Sequence, residues 1–394
     1  MKKIHISLVG GQTLPVYVPI ANDNSIAYDD LYLIHSKRTK ENANLIKEKI
    51  NELNNRAKDI ILREFEAVNI EQIKTDIDSL KSDFNTDDEI WLNVSGGTKP
   101  WSILFYQAFI TRANTNCLYL DQNGYLWNLN TGKSSETTTH NVGFRVLFDL
   151  HRVKANYTEL KSPQKEKDET CLNELLEFRE RIRYQEFYNL TKDFKEEDTP
   201  KKGRFTEGIP SIVKTGNNQY TCYDGEDQLV LESPHINDIM CNTGWFEYQT
   251  ALLLSKWEKT KDIIMNVHFK GRGSTGETNE IDIIVRTEKK FLFVECKTSV
   301  ANPTDLDKFR QVSAQYGGIA VKRILMIAYT PQEPNSYRNN EHEKRIYENH
   351  KIVMDKCNRY NIPVFVMNNI NRDENSRRQF FKNLESYMDE LNEK

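Results

Sequence analysis

Two β-rich runs, Ile281–Thr287 and Phe291–Lys297, flank the pair Glu288-Lys289. Runs of that kind separated by a short polar turn read as a hairpin. Once Glu288 and Lys289 are the loop, every cross-strand pairing is set, and Asp282 falls opposite Glu295. Directly opposed side chains share a face, with Cβ atoms about 5 Å apart. A slip of one residue would send them to opposite faces. Lys297, two positions on, returns to the face of Glu295, whereas Cys296 points away. The surrounding residues Ile281, Ile283, Val285, Phe291, Leu292, Phe293 and Val294 are apolar. Asp282, Glu295 and Lys297 therefore interrupt a strand pair that is otherwise suited to burial, and strongly polar residues there need a reason.

Two carboxylates held side by side repel each other unless a cation joins them. Hard oxygen ligands suit Mg²⁺ or Mn²⁺, so Asp282 and Glu295 are candidate metal ligands. A divalent cation activates water and steadies the charge on a scissile phosphate, and Lys297 would orient or deprotonate that water. Upstream, Glu247 in Gly244-Trp-Phe-Glu-Tyr-Gln shares a helical face with Ala251 and Leu254, which makes it the fourth candidate catalytic residue. The plain alternative is a cross-strand charge trio on an ordinary surface.

Residues 1–150 follow a different pattern, with strand-like and helix-like stretches alternating: strands at Ile4–Val9, Asp30–Ile34, Ile90–Val94 and Cys117–Leu120, helices at Lys40–Glu66 and Trp101–Ala113. Such alternation favours a parallel sheet with crossover helices. In sheets of this kind ligands sit beyond the carboxyl ends of the strands, where helix N-termini offer free N–H groups. Three strand ends are rich in small and polar residues: Gly10-Gly11-Gln12-Thr13, His35-Ser36-Lys37-Arg38-Thr39 and Ser95-Gly96-Gly97-Thr98-Lys99. The last looks like a phosphate cradle but lacks the spacing of a Walker A loop, which disfavours a triphosphate hydrolase. The candidate ligand-binding residues are Gly11, Gln12, Thr13, His35, Ser36, Thr39, Ser95, Gly96, Gly97, Thr98 and Lys99. The rim offers no acid–base pair, so it suits a sensor better than a reaction.

The net charge is −4, so a polyanion must meet a local basic surface or a bound cation. Lys201-Lys202-Gly203-Arg204 and Lys270-Gly271-Arg272 are candidates for such a surface. The six cysteines are scattered and form no CxxC pair, which argues against a zinc knuckle or disulfide framework. No apolar run approaches the roughly eighteen residues of a membrane span, and we expect a cytoplasmic protein without membrane contact. The charged stretch Lys161–Thr170 suggests a linker, giving expected domains of 1–155 and 171–394 joined by 156–170.

Asp282…Glu295-x-Lys297, preceded by a helix bearing Glu247, resembles the PD-(D/E)XK nuclease superfamily over roughly Trp245 to Tyr329. The resemblance implies a restriction-endonuclease-like α/β/α domain with a mixed sheet. It implies Asp282 and Glu295 as metal ligands, Lys297 as the catalytic lysine and Glu247 as the helix acid, with Gln311 on the next helix as a possible support. No proline precedes Asp282. The three N-terminal loops resemble those of a CARF domain, a Rossmann-like sensor of cyclic oligoadenylates in type III CRISPR defence. Together the halves resemble a CARF-fused ancillary nuclease. That resemblance implies a homodimer holding cyclic tetra-adenylate across its two-fold axis and cutting single-stranded or nicked DNA, RNA or both. A signal-independent restriction-like or repair endonuclease is the alternative.

Overall fold

The structure is a computed structural model. It describes the chain apart from residues 23–26, 54–55, 122–123, 138–141, 162–163, 183–186, 188–189, 192–209, 225–226, 242–243, 271–278, 299–301, 318–320, 332–340 and 390–394. The basic run at 201–204 and the glycine and arginine of the run at 270–272 lie outside the described residues.

The N-terminal half contains β1 (Lys3–Val9), α1 (Leu14–Asn22), β2 (Tyr28–His35), α2 (Lys40–Asn51), β3 (Ala57–Glu64), α3 (Ile70–Ser82), β4 (Glu89–Asn93), α4 (Lys99–Phe109), β5 (Thr115–Leu120), β6 (Tyr125–Asn128), β7 (Lys133–Glu136) and α5 (Phe144–Leu150). Its seven strands form one sheet in the order β3-β2-β1-β4-β5-β6-β7. The first five run parallel, and β6 and β7 are antiparallel. Central parallel strands are covered on both faces, and the side-chain alternation sorts the residues accordingly. Ile4, Ile6 and Leu8 of β1 and Tyr32 and Ile34 of β2 pack with α3 and α4, while Leu31 and Leu33 face α1 and α2.

One expectation fails here. Residues 40–66 do not form a single helix: α2 ends at Asn51, and Ala57–Glu64 is the edge strand β3, paired parallel with β2. Asparagines at 51, 54 and 55 are poor helix formers, and the Ile60-Ile61-Leu62 run favours an extended chain.

The C-terminal half contains β8 (Lys154–Glu159), α6 (Gln164–Arg181), β9 (Ser211–Gly216), β10 (Gln219–Tyr223), β11 (Gln228–Glu232), α7 (Ile236–Met240), α8 (Gly244–Ser255), β12 (Asp262–Lys270), β13 (Asn279–Arg286), β14 (Phe291–Lys297), α9 (Pro303–Gly317), β15 (Val321–Ile327), α10 (Glu341–Arg359), β16 (Val364–Val366), α11 (Met367–Ile370) and α12 (Glu374–Asp389). A mixed six-stranded sheet has the order β16-β15-β14-β13-β12-β8, and β9 to β11 form a separate antiparallel sheet. The stretch 156–170, expected as a linker, instead holds most of β8 and the start of α6. β8 pairs with β12, and α6 buries Cys171, Leu172, Leu175 and Phe178.

The two halves share one apolar core. Val9, Leu14, Leu31 and Ile46 belong to the same buried cluster as Ile264, Phe269, Phe291 and Phe293. Phe269 of β12 lies edge-on to Phe148 of α5 at 5.4 Å and stacks on Tyr316 of α9 at 4.2 Å. Among the described residues no helix is long and apolar enough to cross a membrane.

Candidate functional site

The hairpin β13–β14 forms in the register that a Glu288-Lys289 loop dictates. Ile283 pairs with Val294 and Ile284 with Phe293, and the turn closes through Thr287 N–H donating to Lys290 O at 2.9 Å. The same register carried one step further sets Asp282 against Glu295. There Cys296 N–H donates to Asp282 Oδ2 at 2.6 Å, and Lys297 Nζ lies 2.7 Å from Glu295 Oε1. Both carboxylates are buried, Asp282 at 8% and Glu295 at 9% exposure.

Glu247 stands in the first turn of α8, a helix buried nearly all round. Gly244 sets that helix in place: a Cβ there would lie 1.8 Å from Asp238 O, so only glycine lets α8 begin this close to α7. Glu247 is half-buried. Burial, then the charge of Glu280, raises its carboxyl to a pKa of about 8 against the opposing pull of Lys297. Burial and the charges of Glu295 and Glu247 push Asp282 well above the usual carboxylate range. Burial likewise raises Glu295, with Lys297 opposing. Burial pulls the Lys297 ammonium down, but Glu295 and Asp282 outweigh it, and its pKa sits above the ordinary lysine value. The four residues thus form one electrostatic unit, drawn from one helix and two strands.

Such a unit is short of positive charge. Three carboxylates with raised proton affinity around one ammonium would ionise fully if a cation joined them. The donors facing it are all oxygens, the set that suits a hard divalent ion. Asp282 and Glu295 are the pair that could hold one, with water completing the shell. Among the described residues no three His, Cys, Asp or Glu side chains already form a ready cage.

Two acidic residues near this unit were not singled out from the sequence. Glu280 acts on both Glu247 and Glu295; its signal was its place two positions before Asp282 on the same strand. Asp305, in the first turn of α9, acts on Glu295 and Lys297. Gln311 is exposed further along α9.

At the N-terminal sheet the three strand-end loops do converge. A Cβ on Gly10 would meet Gly97 N at 2.8 Å, Thr39 Oγ1 donates to Val9 O at 3.0 Å, and Asn42 Nδ2 donates to Gly10 O at 2.8 Å. They sit where β1 has β2 on one side and β4 on the other, the crevice at which open α/β sheets bind ligands. Gly97 has φ +77°, and a Cβ on Gly96 would lie 2.0 Å from Leu8 O, so both positions need glycine to bring the loops together.

Many of the hydroxyls on this rim are engaged in holding it. Thr98 caps α4 by accepting from Trp101 N–H at 3.4 Å. Ser95 Oγ donates to Asn93 Oδ1 at 2.6 Å and accepts from Leu120 N–H at 2.7 Å. Thr13 is buried and donates to Leu150 O at 2.9 Å. Ser36 and Thr39 cap one another, and buried His35 has Nδ1 3.1 Å from Ser36 O. Gly11, Gln12 and Lys99 are exposed. A cavity of about 240 Å³ opens beside Gly11, Gln12 and Thr13, lined also by Asn42 and Arg152, which the sequence did not single out.

Residues 4–145 match the family model of the Card1 CARF domain, and residues 237–353 match that of the Card1-like endonuclease domain. No curated protein matches the chain. Among solved structures, Can2 from Sulfobacillus thermosulfidooxidans, in complex with cyclic tetra-adenylate, superposes with a TM-score of 0.62 at 16% identity, over 99% of this chain and 98% of its own. Protein VC1899 from Vibrio cholerae superposes at 0.68 and 14% identity, over 98% of both chains. A type III CRISPR defence DNA nuclease activated by cyclic oligoadenylate superposes at 0.50 and 14% identity, over 88% of this chain and 52% of its own.

Proposed function

The chain joins a CARF domain to a Card1-like endonuclease domain, and we propose that it is a metal-dependent nuclease of type III CRISPR antiviral defence, switched on by cyclic oligoadenylate. The activator we propose is cyclic tetra-adenylate, bound across a homodimer of CARF domains, because a ring of repeated units suits a two-fold axis. The substrate is single-stranded or nicked DNA, RNA or both, met in the cytoplasm. The observation that carries the nuclease reading is the Lys297–Glu295 pair at 2.7 Å with Asp282 beside it, inside the endonuclease match.

Asp282 and Glu295 would hold the Mn²⁺ or Mg²⁺. When bound, that ion supplies an acidified water and neutralises charge on the scissile phosphate. The protein's own groups do the rest. Lys297 keeps its proton and donates from Nζ to the phosphate oxygens as negative charge grows on them. Glu247, whose carboxyl pKa is raised to about 8 by burial, is held protonated near neutral pH and would release that proton to water if a cation were bound beside it. On the sensor, Gly11, Gln12 and Lys99 meet the messenger, and the capped loops hold the rim in shape.

The direct test is cleavage of labelled single-stranded DNA, plasmid and RNA with Mn²⁺, with and without cyclic tetra-adenylate, beside Glu295→Ala and Lys99→Ala. Cutting that needs the messenger, and that both substitutions abolish at limiting messenger, supports the reading. Equal cutting without messenger would favour the signal-independent endonuclease, and no cutting of any substrate would sink both.

A further inference from the structure

Helix α9 reaches both functional regions. Its first turn carries Asp305, whose charge acts on Glu295 and Lys297. Its last turn carries Gln315, which lines the same cavity of about 240 Å³ as Gly11 and Gln12 of the β1 loop. One wall of that space is therefore sensor and another is effector. Gln12 and Gln315 are exposed, and among the described residues neither side-chain amide has a hydrogen-bond partner. By contrast, Asn42 donates to Gly10 O and Arg152 pairs with Glu41, so their places are fixed. A Cβ on Gly11 would find nothing within 4 Å, which leaves the backbone there open to close approach.

We propose that Gln315, a residue of the nuclease half, is a direct contact for the bound cyclic oligoadenylate, so that the effector completes the sensor's ligand site. This rests on the sensor reading given above. A free amide carries both a donor and an acceptor, the pair that a ribose 2′-hydroxyl or an adenine edge can satisfy at once. The cavity is smaller than the roughly 300–1,000 Å³ that takes an entire drug-sized ligand, so it receives one ribose with its phosphate while the rest of the ring lies along the rim. Tyr316, the next residue on α9, is clamped on Phe269, so Gln315 is presented from a fixed helix end. From Gln315 back to Asp305 the helix spans about 15 Å as a rigid rod. A ligand contact at one end thus bears on the surroundings of Lys297 at the other.

The test uses the full chain and titrates cyclic tetra-adenylate by calorimetry into wild type, Gln315→Ala, Gln315→Glu and Lys99→Ala, with thermal melting to confirm folding. Loss of one hydrogen bond weakens binding about 3- to 10-fold in Gln315→Ala. In Gln315→Glu the loss is larger, because a carboxylate then faces phosphates, and it shrinks as salt is raised. Wild-type affinity in both Gln315 variants, with Lys99→Ala weakened, overturns the proposal and leaves the sensor reading standing. Failure of the wild-type chain to bind cyclic tetra-adenylate overturns the sensor reading and the proposal together.

Discussion

Lys297 Nζ lies 2.7 Å from Glu295 Oε1, two residues back on the same strand, so the pair is built into the pleat of β14 and needs no loop to bring it together. Adjacent same-face positions on a strand hold such a pair wherever the strand is held. The ammonium is stabilised by Glu295 and Asp282, so in the proposed reaction Lys297 would act as a donor of charge and hydrogen bonds.

Lys297→Ala is expected to lower messenger-dependent cleavage about 10²- to 10³-fold, the scale of losing one preorganised donor. Titration of cyclic tetra-adenylate should give near-wild-type affinity, since Lys297 does not line the cavity shared by Gln12 and Gln315. Initial rates with Mn²⁺ measured beside that titration check both halves of the statement.

Without metal, stability should fall as pH rises from about 5 to about 8. The folded chain holds Glu247 protonated up to a pKa of about 8 against an ordinary 4.5. Between those values it binds a proton that the unfolded chain has lost, and the contribution disappears as pH climbs through the folded value. Melting curves in EDTA across that range should show the decline, Glu247→Gln should lessen it while Asp282 and Glu295 keep their share, and Mn²⁺ at pH 8 should raise the midpoint. A midpoint in EDTA that rises toward pH 8 would contradict the burial of this carboxyl.

Gly96→Ala should destabilise the sensor by about 1–3 kcal/mol or more. The new methyl would lie 2.0 Å from Leu8 O, a backbone atom in the middle of the sheet, and it cannot be relieved by turning a side chain. Urea denaturation reads the loss, and messenger binding should weaken with it because the rim is displaced.

Phe269→Ala should cost about 3–5 kcal/mol, the range for an aromatic side chain removed from a filled core. Phe269 is fully buried between Phe148 of the sensor and Tyr316 of α9. Because that core is common to both halves, calorimetry should show a single transition moving to lower temperature. Two separated transitions in the wild type would argue against a common core.

The β13–β14 hairpin was the most legible part of the sequence because a short turn between apolar runs leaves one register, and Ile283, Ile284, Phe293 and Val294 pair as that register requires. The convergence of the sensor loops was legible for a similar reason: parallel strands put all their carboxyl ends on one side. Their internal bonding was not. Thr13 donating to Leu150 O joins residues far apart in sequence, and nothing near Thr13 announces it. β3 and β8 were misread because edge strands carry polar residues on their open sides. Ala57–Glu64 continued a helical stretch, and residues 156–159 fell within the expected linker, until their pairing with β2 and β12 made them strands. Glu280 was overlooked because a glutamate beside a buried strand reads as ordinary surface charge.

The position of β8 also has a consequence for how the chain is made. Lys154–Glu159 leaves the ribosome just after the sensor, yet its partner β12 begins at Asp262. At roughly 5–20 residues per second, the strand waits on the order of ten seconds with its hydrogen-bonding edge open. During that interval the nascent chain presents a sensor whose shared apolar face is not yet covered, followed by an unpaired strand, a site at which another nascent chain or a chaperone can bind. Slowing synthesis between 160 and 260 should therefore lower the yield of soluble protein even though no residue of the folded molecule has changed.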